Sequence, residues 1–159
     1  MTAIVPILMG SKSDQKHAEK IISALERFGI PAQIRVASAH KTPAYLLSVL
    51  QAYESDSRQK VYITIAGRSN ALSGMVDAQV TSPVIACPPP SEAFGGADIF
   101  SSLRMPSGVA PAVMLDPEGA ALFAAKIFAL TDPIVRGKIA EMQKENQDKL
   151  LSDDAEFNS

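Results

Sequence analysis

Ser38-Ala39-His40-Lys41-Thr42-Pro43 places a hydroxyl, an imidazole and an ammonium side by side. An imidazole ionises near neutrality, so it can both take and return a proton. The ammonium stands just ahead of a helix that Pro43 opens. There it is at the unfavourable end of the helix dipole unless it faces an anion. A second cluster, Gly10-Ser11-Lys12-Ser13-Asp14, combines a glycine that lets backbone approach a ligand, two hydroxyls and a helix start that favours negative charge. Asp14 can accept hydrogen bonds from ribose hydroxyls. A third cluster, Gly67-Arg68-Ser69-Asn70, adds a guanidinium, a hydroxyl and an amide. Such parts together suit a site that holds a phosphate and moves one proton.

Each cluster also has a plainer reading. Gly10 to Asp14 serves as a helix cap, His40 as a packing residue in a loop, and Lys41 and Arg68 as surface charges. His17, the only other histidine, falls inside the first helical pattern among charged residues and is expected on a solvated face. Cys87 ends the apolar run Val84-Ile85-Ala86 and is expected in the core. Ser101, Ser102, Arg104 and Ser107-Gly108 suit either a site or turns, and the sequence does not choose.

The elements that must position these residues alternate between strand and helix. Ala3 to Met9 is a continuous apolar run of the kind buried on both faces. A helix is predicted from Asp14 to Phe28, capped by Ser13 or Asp14 and ended by Gly29, with Ala18, Ile21, Ile22, Leu25 and Phe28 as its apolar stripe. Gln33 to Ala37 is the second strand. Thr42 then caps a helix that buries Leu46, Leu47, Leu50 and Tyr53. Val61 to Ala66 is the third strand, followed by a helix over Asn70 to Val80. Val84 to Cys87 and Ala112 to Leu115 complete the strands. The stretch between these last two, with Pro88-Pro89-Pro90 and Phe94-Gly95-Gly96, is too long for a simple connector and suits a lid or a subunit contact. Glu118 to Leu130 and Ile134 to Leu151 are helical, broken at Asp132-Pro133, and a polar, frayed tail is expected from about 152.

Alternation with short crossovers gives a three-layer α/β fold, a parallel sheet covered on both faces. Five strands suit the flavodoxin-like order 2-1-3-4-5, with the extra helices C-terminal. That order makes the three clusters neighbours at the carboxyl ends of adjacent strands. Pro6 conflicts with a central first strand because it lacks an N–H, so it is expected near the strand's start or at a bulge. Ala120 to Leu130 leaves almost no polar face, which calls for cover on all sides, and another subunit is the expected cover.

Composition bounds the function. The 159 residues suffice for a single domain, taken as 1–159, with 47% hydrophobic and 20% charged residues. The net charge of −2, with scattered Lys and Arg, argues against nucleic-acid binding. No run approaches the ~20 apolar residues that span a bilayer. The first residues lack a basic leader region, and the single cysteine allows no internal disulfide, so a reducing cytoplasm is expected. No Gly-x-Gly-x-x-Gly follows a strand, no P-loop motif is present, and two histidines with one cysteine make no plausible zinc set. The third strand ends in Ala66-Gly67 without the acidic residue a receiver-type phosphoacceptor needs.

The joint pattern of Gly10-Ser11-Lys12-Ser13-Asp14, Ser38-Ala39-His40-Lys41-Thr42-Pro43, Ala66-Gly67-Arg68-Ser69-Asn70 and Met105-Pro106-Ser107-Gly108-Val109 resembles the phosphoribosylaminoimidazole (AIR) carboxylase family of purine biosynthesis. The resemblance runs from the first strand to about Leu130. The usual bacterial class of that family is a mutase that moves a carboxylate from the N5-carboxyamino form of AIR to C4. It carries Arg where this chain has Lys41, and a Gly-Ala-rich loop with a second His where this chain has Arg68-Ser69-Asn70. Both departures are similar to the carboxylase domain of the animal bifunctional enzyme, which takes CO2 directly. At this length the chain is expected to lack that enzyme's synthetase domain.

The resemblance implies that Ser11, Asp14, Ser38 and Lys41 hold the phosphoribosyl part, with Gly10 also among the substrate-binding residues. It implies that His40 handles the proton at C4 and that Gly67, Arg68, Ser69 and Asn70 line the imidazole and carboxylate region. It further implies AIR and CO2 as substrates, no metal, no cofactor and no ATP, no membrane or nucleic-acid partner, and a homo-octamer, with a tetramer as the smaller option. Two alternatives stand beside direct carboxylation: the mutase, and a non-catalytic nucleotide-binding module of the same fold.

Overall fold

The computed structural model describes residues 3–158; Met1, Thr2 and Ser159, which the expected 1–159 domain includes, lie outside the described residues. Six parallel strands are present among them: β1 (Ala3–Met9), β2 (Ala32–Val36), β3 (Gln59–Lys60), β4 (Tyr62–Ile65), β5 (Val84–Ala86) and β6 (Ala112–Val113). The helices are α1 (Gln15–Arg27), α2 (Pro43–Glu54), α3 (Ala71–Asp77), α4 (Phe100–Leu103), α5 (Pro117–Phe128) and α6 (Pro133–Phe157). The sheet runs β2-β1-β4-β5-β6, with the short β3 paired to the start of β1. This is the expected flavodoxin-like path, with one additional short strand.

Alternation along β1 divides the core. Val5, Ile7 and Met9 face α1, α5 and the first turns of α6, while Ile4 and Leu8 face α2 and α3. Gly29, at φ 72, ends α1 in the left-handed conformation that glycine adopts freely.

Pro6 explains the break between the additional strand β3 and β4. It lies at the middle of β1 with no bulge, because the offset of β1 on β3 (Ala3↔Gln59) is the same as on β4 (Ile7↔Ile63). Val5 N–H donates to Pro31 on the β2 side, so alternation turns the Pro6 nitrogen toward the β3/β4 side. No donor exists there, and the ladder lapses between Lys60 and Tyr62. The expectation of a bulge or an early position for Pro6 is thus corrected.

Other local expectations shift for physical reasons. Ser11 rather than Ser13 or Asp14 caps the helix start: its Oγ accepts the Ser13 N–H at 3.2 Å in a 3₁₀ turn over Lys12–Asp14 that precedes α1. On α2 the buried positions are Leu46, Val49, Leu50 and Tyr53, while Leu47 is exposed. The Thr42 hydroxyl does not cap α2; it bonds the Ser38 backbone instead. The polar tail from 152 is not frayed, since α6 continues to Phe157 with Lys144–Asp148 and Lys149–Asp153 pairs along its exposed face.

Cover for α5 comes largely from the same chain. Ala120, Ala121, Ala124, Ala125 and Phe128 are buried in the core beside α1, and α6 adds Val135 and Ile139 to that core. Leu122, Phe123 and Ile127 are partly buried, and Leu130 is exposed. The α6 segment beyond Met142 leaves Leu150, Leu151 and Phe157 exposed.

Candidate active site

The carboxyl ends of β1, β2, β4 and β5 open onto a cleft of about 650 Å³, lined by Gly10, Ser11, Asp14, Ser38, His40 and Lys41 from the first two junctions and by Gly67, Arg68 and Ser69 from the third. This is where a parallel sheet presents ligands, because the loops on both sides of the first strand diverge there.

Each junction is held by its own hydrogen bonds. After β1, Gly10 N–H donates to Ile65 C=O at 3.0 Å, tying the turn to β4. Ser11 Oγ lies 2.9 Å from the Ser13 hydroxyl. Burial raises the Asp14 carboxyl above its ordinary range, against the Ser13 hydroxyl and the nearby His17, which lower it. After β2, the loop is closed by Ser38 N–H donating to Thr42 Oγ1 at 3.0 Å and Thr42 N–H donating to Ser38 C=O at 2.9 Å. Lys41 N–H donates to Ser38 Oγ at 3.2 Å. His40 is carried on this closed loop and is exposed at the mouth of the cleft.

After β4, Arg68 adopts φ 57, one of two positive-φ non-glycine residues among the described residues. For an L-residue this costs on the order of 1–2 kcal/mol and persists only where neighbours impose it. The cleft thus holds an imidazole beside cations and hydroxyls, flanked by the Asp14 carboxylate. That set can grip a phosphorylated ribose and exchange one proton at a carbon placed over His40.

Nine of the ten sequence-predicted site residues (Gly10, Ser11, Asp14, Ser38, His40, Lys41, Gly67, Arg68, Ser69) line this cleft. Asn70 does not. It is buried as the cap of α3, where its Oδ1 accepts the Ser73 N–H at 3.1 Å and its Nδ2 donates to Ser102 Oγ at 2.9 Å. A further wall is formed by Pro89, Pro90, Ser91 and Asp98. The readable signal for it was position: the proline run leaves the carboxyl end of a strand adjacent to β4. The stretch expected as a lid or a subunit contact turns through left-handed Phe94, Gly95 and Gly96 before a 3₁₀ turn and α4, with Phe94 and Phe100 exposed. Arg104, Ser107 and Gly108 are outside the lining; Met105 lies against Gly74 of α3 instead.

His17 is not on a solvated face. It is half-buried, with Nε2 3.3 Å from Cys87 Sγ, and so links α1 to the end of β5. Burial pushes the Cys87 thiol up to about 12, and the nearby Asp116 carboxylate pushes the same way. Burial also lowers the His17 imidazole below 6.5. The unfolded chain therefore takes this proton before the folded one does as pH falls, and stability is lost from about pH 6.5 downward until the folded imidazole also charges. His17→Asn is expected to flatten that acid limb in thermal melts between pH 7.5 and 5, a difference read directly against the parent protein. An equally steep loss in the variant would show that another group sets it.

The family model for "AIR carboxylase" matches residues 4–149. A phosphoribosylaminoimidazole carboxylase of Treponema denticola is 54% identical over 157 residues, covering 99% of this chain and 99% of that one. The crystal structure of Treponema denticola PurE superposes with a TM-score of 0.97 at 54% identity, over 99% of both chains. The mouse bifunctional phosphoribosylaminoimidazole carboxylase/phosphoribosylaminoimidazole succinocarboxamide synthetase is 46% identical over 135 residues, 85% of this chain and 32% of that protein. Among the described residues no helix is long and apolar enough to cross a membrane, and no cluster of three or more His, Cys, Asp or Glu side chains could hold a metal ion.

Proposed function

Since the chain belongs to the AIR carboxylase family of purine biosynthesis, we propose that it joins CO2 directly to C4 of AIR to give 4-carboxy-AIR, without ATP. The observation that carries this reading is His40, set in one cleft with Lys41, Ser38, Ser11 and Asp14 on one side and Arg68 on the other.

Ser11, Ser38 and Lys41 hold the phosphate, and Asp14 accepts from the ribose hydroxyls. The exocyclic amine of AIR makes C4 an enamine-like nucleophile. As the C4–C bond forms, one C=O electron pair of CO2 moves to oxygen and leaves a carboxylate, which the Arg68 guanidinium meets. The adduct carries both hydrogen and carboxylate at C4. His40 removes that proton, the C–H pair returns to the ring, and aromaticity is restored. The imidazolium then passes its proton to solvent. In reverse, His40 is the acid.

The cations in the cleft favour this class over the mutase. Lys41 offers a point charge where the mutase pattern has a guanidinium fork, and Arg68 occupies the loop where that pattern has small residues and a second His. A non-catalytic module predicts binding of AIR without carbon–carbon chemistry, and release of CO2 from 4-carboxy-AIR would exclude it.

We further propose that copies assemble into a homo-octamer through Leu130, just after α5, and the exposed apolar residues of α6. Leu130 and Leu150 are 75% and 68% exposed in the single chain. Deleting 143–159 leaves Val135 and Ile139 in place and is expected to lower the mass measured by light scattering. An assembly of unchanged subunit number after that deletion would refute the role given to this segment.

A further inference from the structure

The segment after β5 grips the Arg68 loop as well as walling the cleft. Ser101 Oγ accepts the Asn70 backbone N–H at 3.0 Å and lies 3.0 Å from the Arg68 carbonyl oxygen. The Asp98 carbonyl, at 2.8 Å, is the other acceptor within reach of its single hydrogen. Beside it, buried Ser102 accepts from Asn70 Nδ2 at 2.9 Å. Asn70 Oδ1 in turn takes the Ser73 hydroxyl at 2.8 Å, and Ser73 Oγ is 2.7 Å from Thr64 Oγ1 on β4. The backbone on both sides of Ser69 is therefore held by Ser101, and on the Asn70 side also by a buried hydroxyl chain anchored in the sheet. Arg68, which needs an external constraint to stay at φ 57, is the edge of that clasp, held by its carbonyl.

Resting on the carboxylation reading of the cleft, we propose that Ser101 is a positioning residue for the reaction. Its hydroxyl fixes the Arg68 carbonyl and the Asn70 amide, and so keeps the Arg68 guanidinium in the cleft where the new carboxylate forms. Without it the loop relaxes toward an ordinary backbone conformation and the guanidinium leaves its place. The phosphate-gripping groups, on the β1 and β2 loops, are untouched by this change.

The test is a double-mutant cycle. Ser101→Ala is expected to lower kcat about tenfold, the scale of a misplaced catalytic-site group, with little change in the KM for AIR. In an Arg68→Gly background, where glycine accepts the backbone conformation and no guanidinium remains, Ser101→Ala should cost less than about twofold. Ser101→Thr, which keeps the hydroxyl, should restore most of kcat. If Ser101→Ala does not fold, Ser101→Cys takes its place in the cycle. Equal losses in both backgrounds would overturn the proposal, because they show Ser101 acting without Arg68. A second measurement needs no substrate: hydrogen exchange at the Asn70 amide should speed up at least about tenfold in Ser101→Ala, as a local opening would. Unchanged exchange would also overturn it. A parent protein that leaves AIR uncarboxylated would sink the functional reading alone, and exchange at Asn70 would still decide the clasp.

Discussion

His40→Asn retains the fold and the binding of a phosphorylated ribose but loses turnover by about a hundredfold or more, the usual cost of removing a general acid/base. The imidazole is exposed at the mouth of the cleft on a loop closed by Ser38 and Thr42 backbone and hydroxyl bonds. Replacing it disturbs neither core cluster, so the melting temperature stays close to the parent's. Ser11, Ser38 and Lys41 are unchanged, so calorimetric titration with ribose 5-phosphate should give nearly the same affinity. Asparagine can hydrogen-bond but cannot cycle a proton near neutral pH. Carboxylation of AIR and decarboxylation of 4-carboxy-AIR should fall together, since one group serves both directions. A folded variant with near-normal activity in either direction would refute the assignment.

The second large effect separates the two classes of the family. The rate with AIR is expected to follow dissolved CO2 and not bicarbonate, and N5-carboxy-AIR is expected not to be turned over. On the proposed reading Lys41 meets the phosphate as a compact charge without the planar fork of arginine, which changes how the substrate is seated over His40. Arg68 and Ser69 line the cleft where the mutase pattern has small residues and a histidine. A fixed cation there suits a carboxylate that forms from a small neutral gas. A stopped-flow experiment begun before CO2 and bicarbonate equilibrate reads the species directly. Rapid turnover of N5-carboxy-AIR with its carboxylate transferred intact would place the chain in the mutase class, with the fold unaffected.

Much of the framework was legible because strand and helix periods differ and Gly and Pro mark their ends. Ala3–Met9 matched its strand residue for residue, Gly29 and Pro43 marked helix boundaries, and the sheet order followed from short parallel crossovers. What escaped were consequences of contacts distant in sequence. The charged neighbours of His17 along α1 hid its partner, Cys87, which only the fold brings beside it. Asn70 looked like a site residue because it follows Gly67-Arg68-Ser69, but its amide is taken by Ser73 and Ser102 inside the protein. Leu47 matched an apolar period yet faces out, while Val49 turns in with Leu46, Leu50 and Tyr53. Pro6 pointed to a real conflict, but its resolution, a lapse in the neighbouring strand, needed the register.

The enclosure of Cys87 has a practical consequence for watching this protein move. Its sulfur is fully buried and its thiol is held in the neutral form, and alkylating labels react with exposed thiolates. The folded chain therefore presents a silent background to maleimide chemistry, with no native thiol to remove first. A cysteine introduced at Phe94, which is 88% exposed on the segment that walls the cleft, would take a single fluorophore. A dye there would report in real time whether that wall shifts as substrate enters.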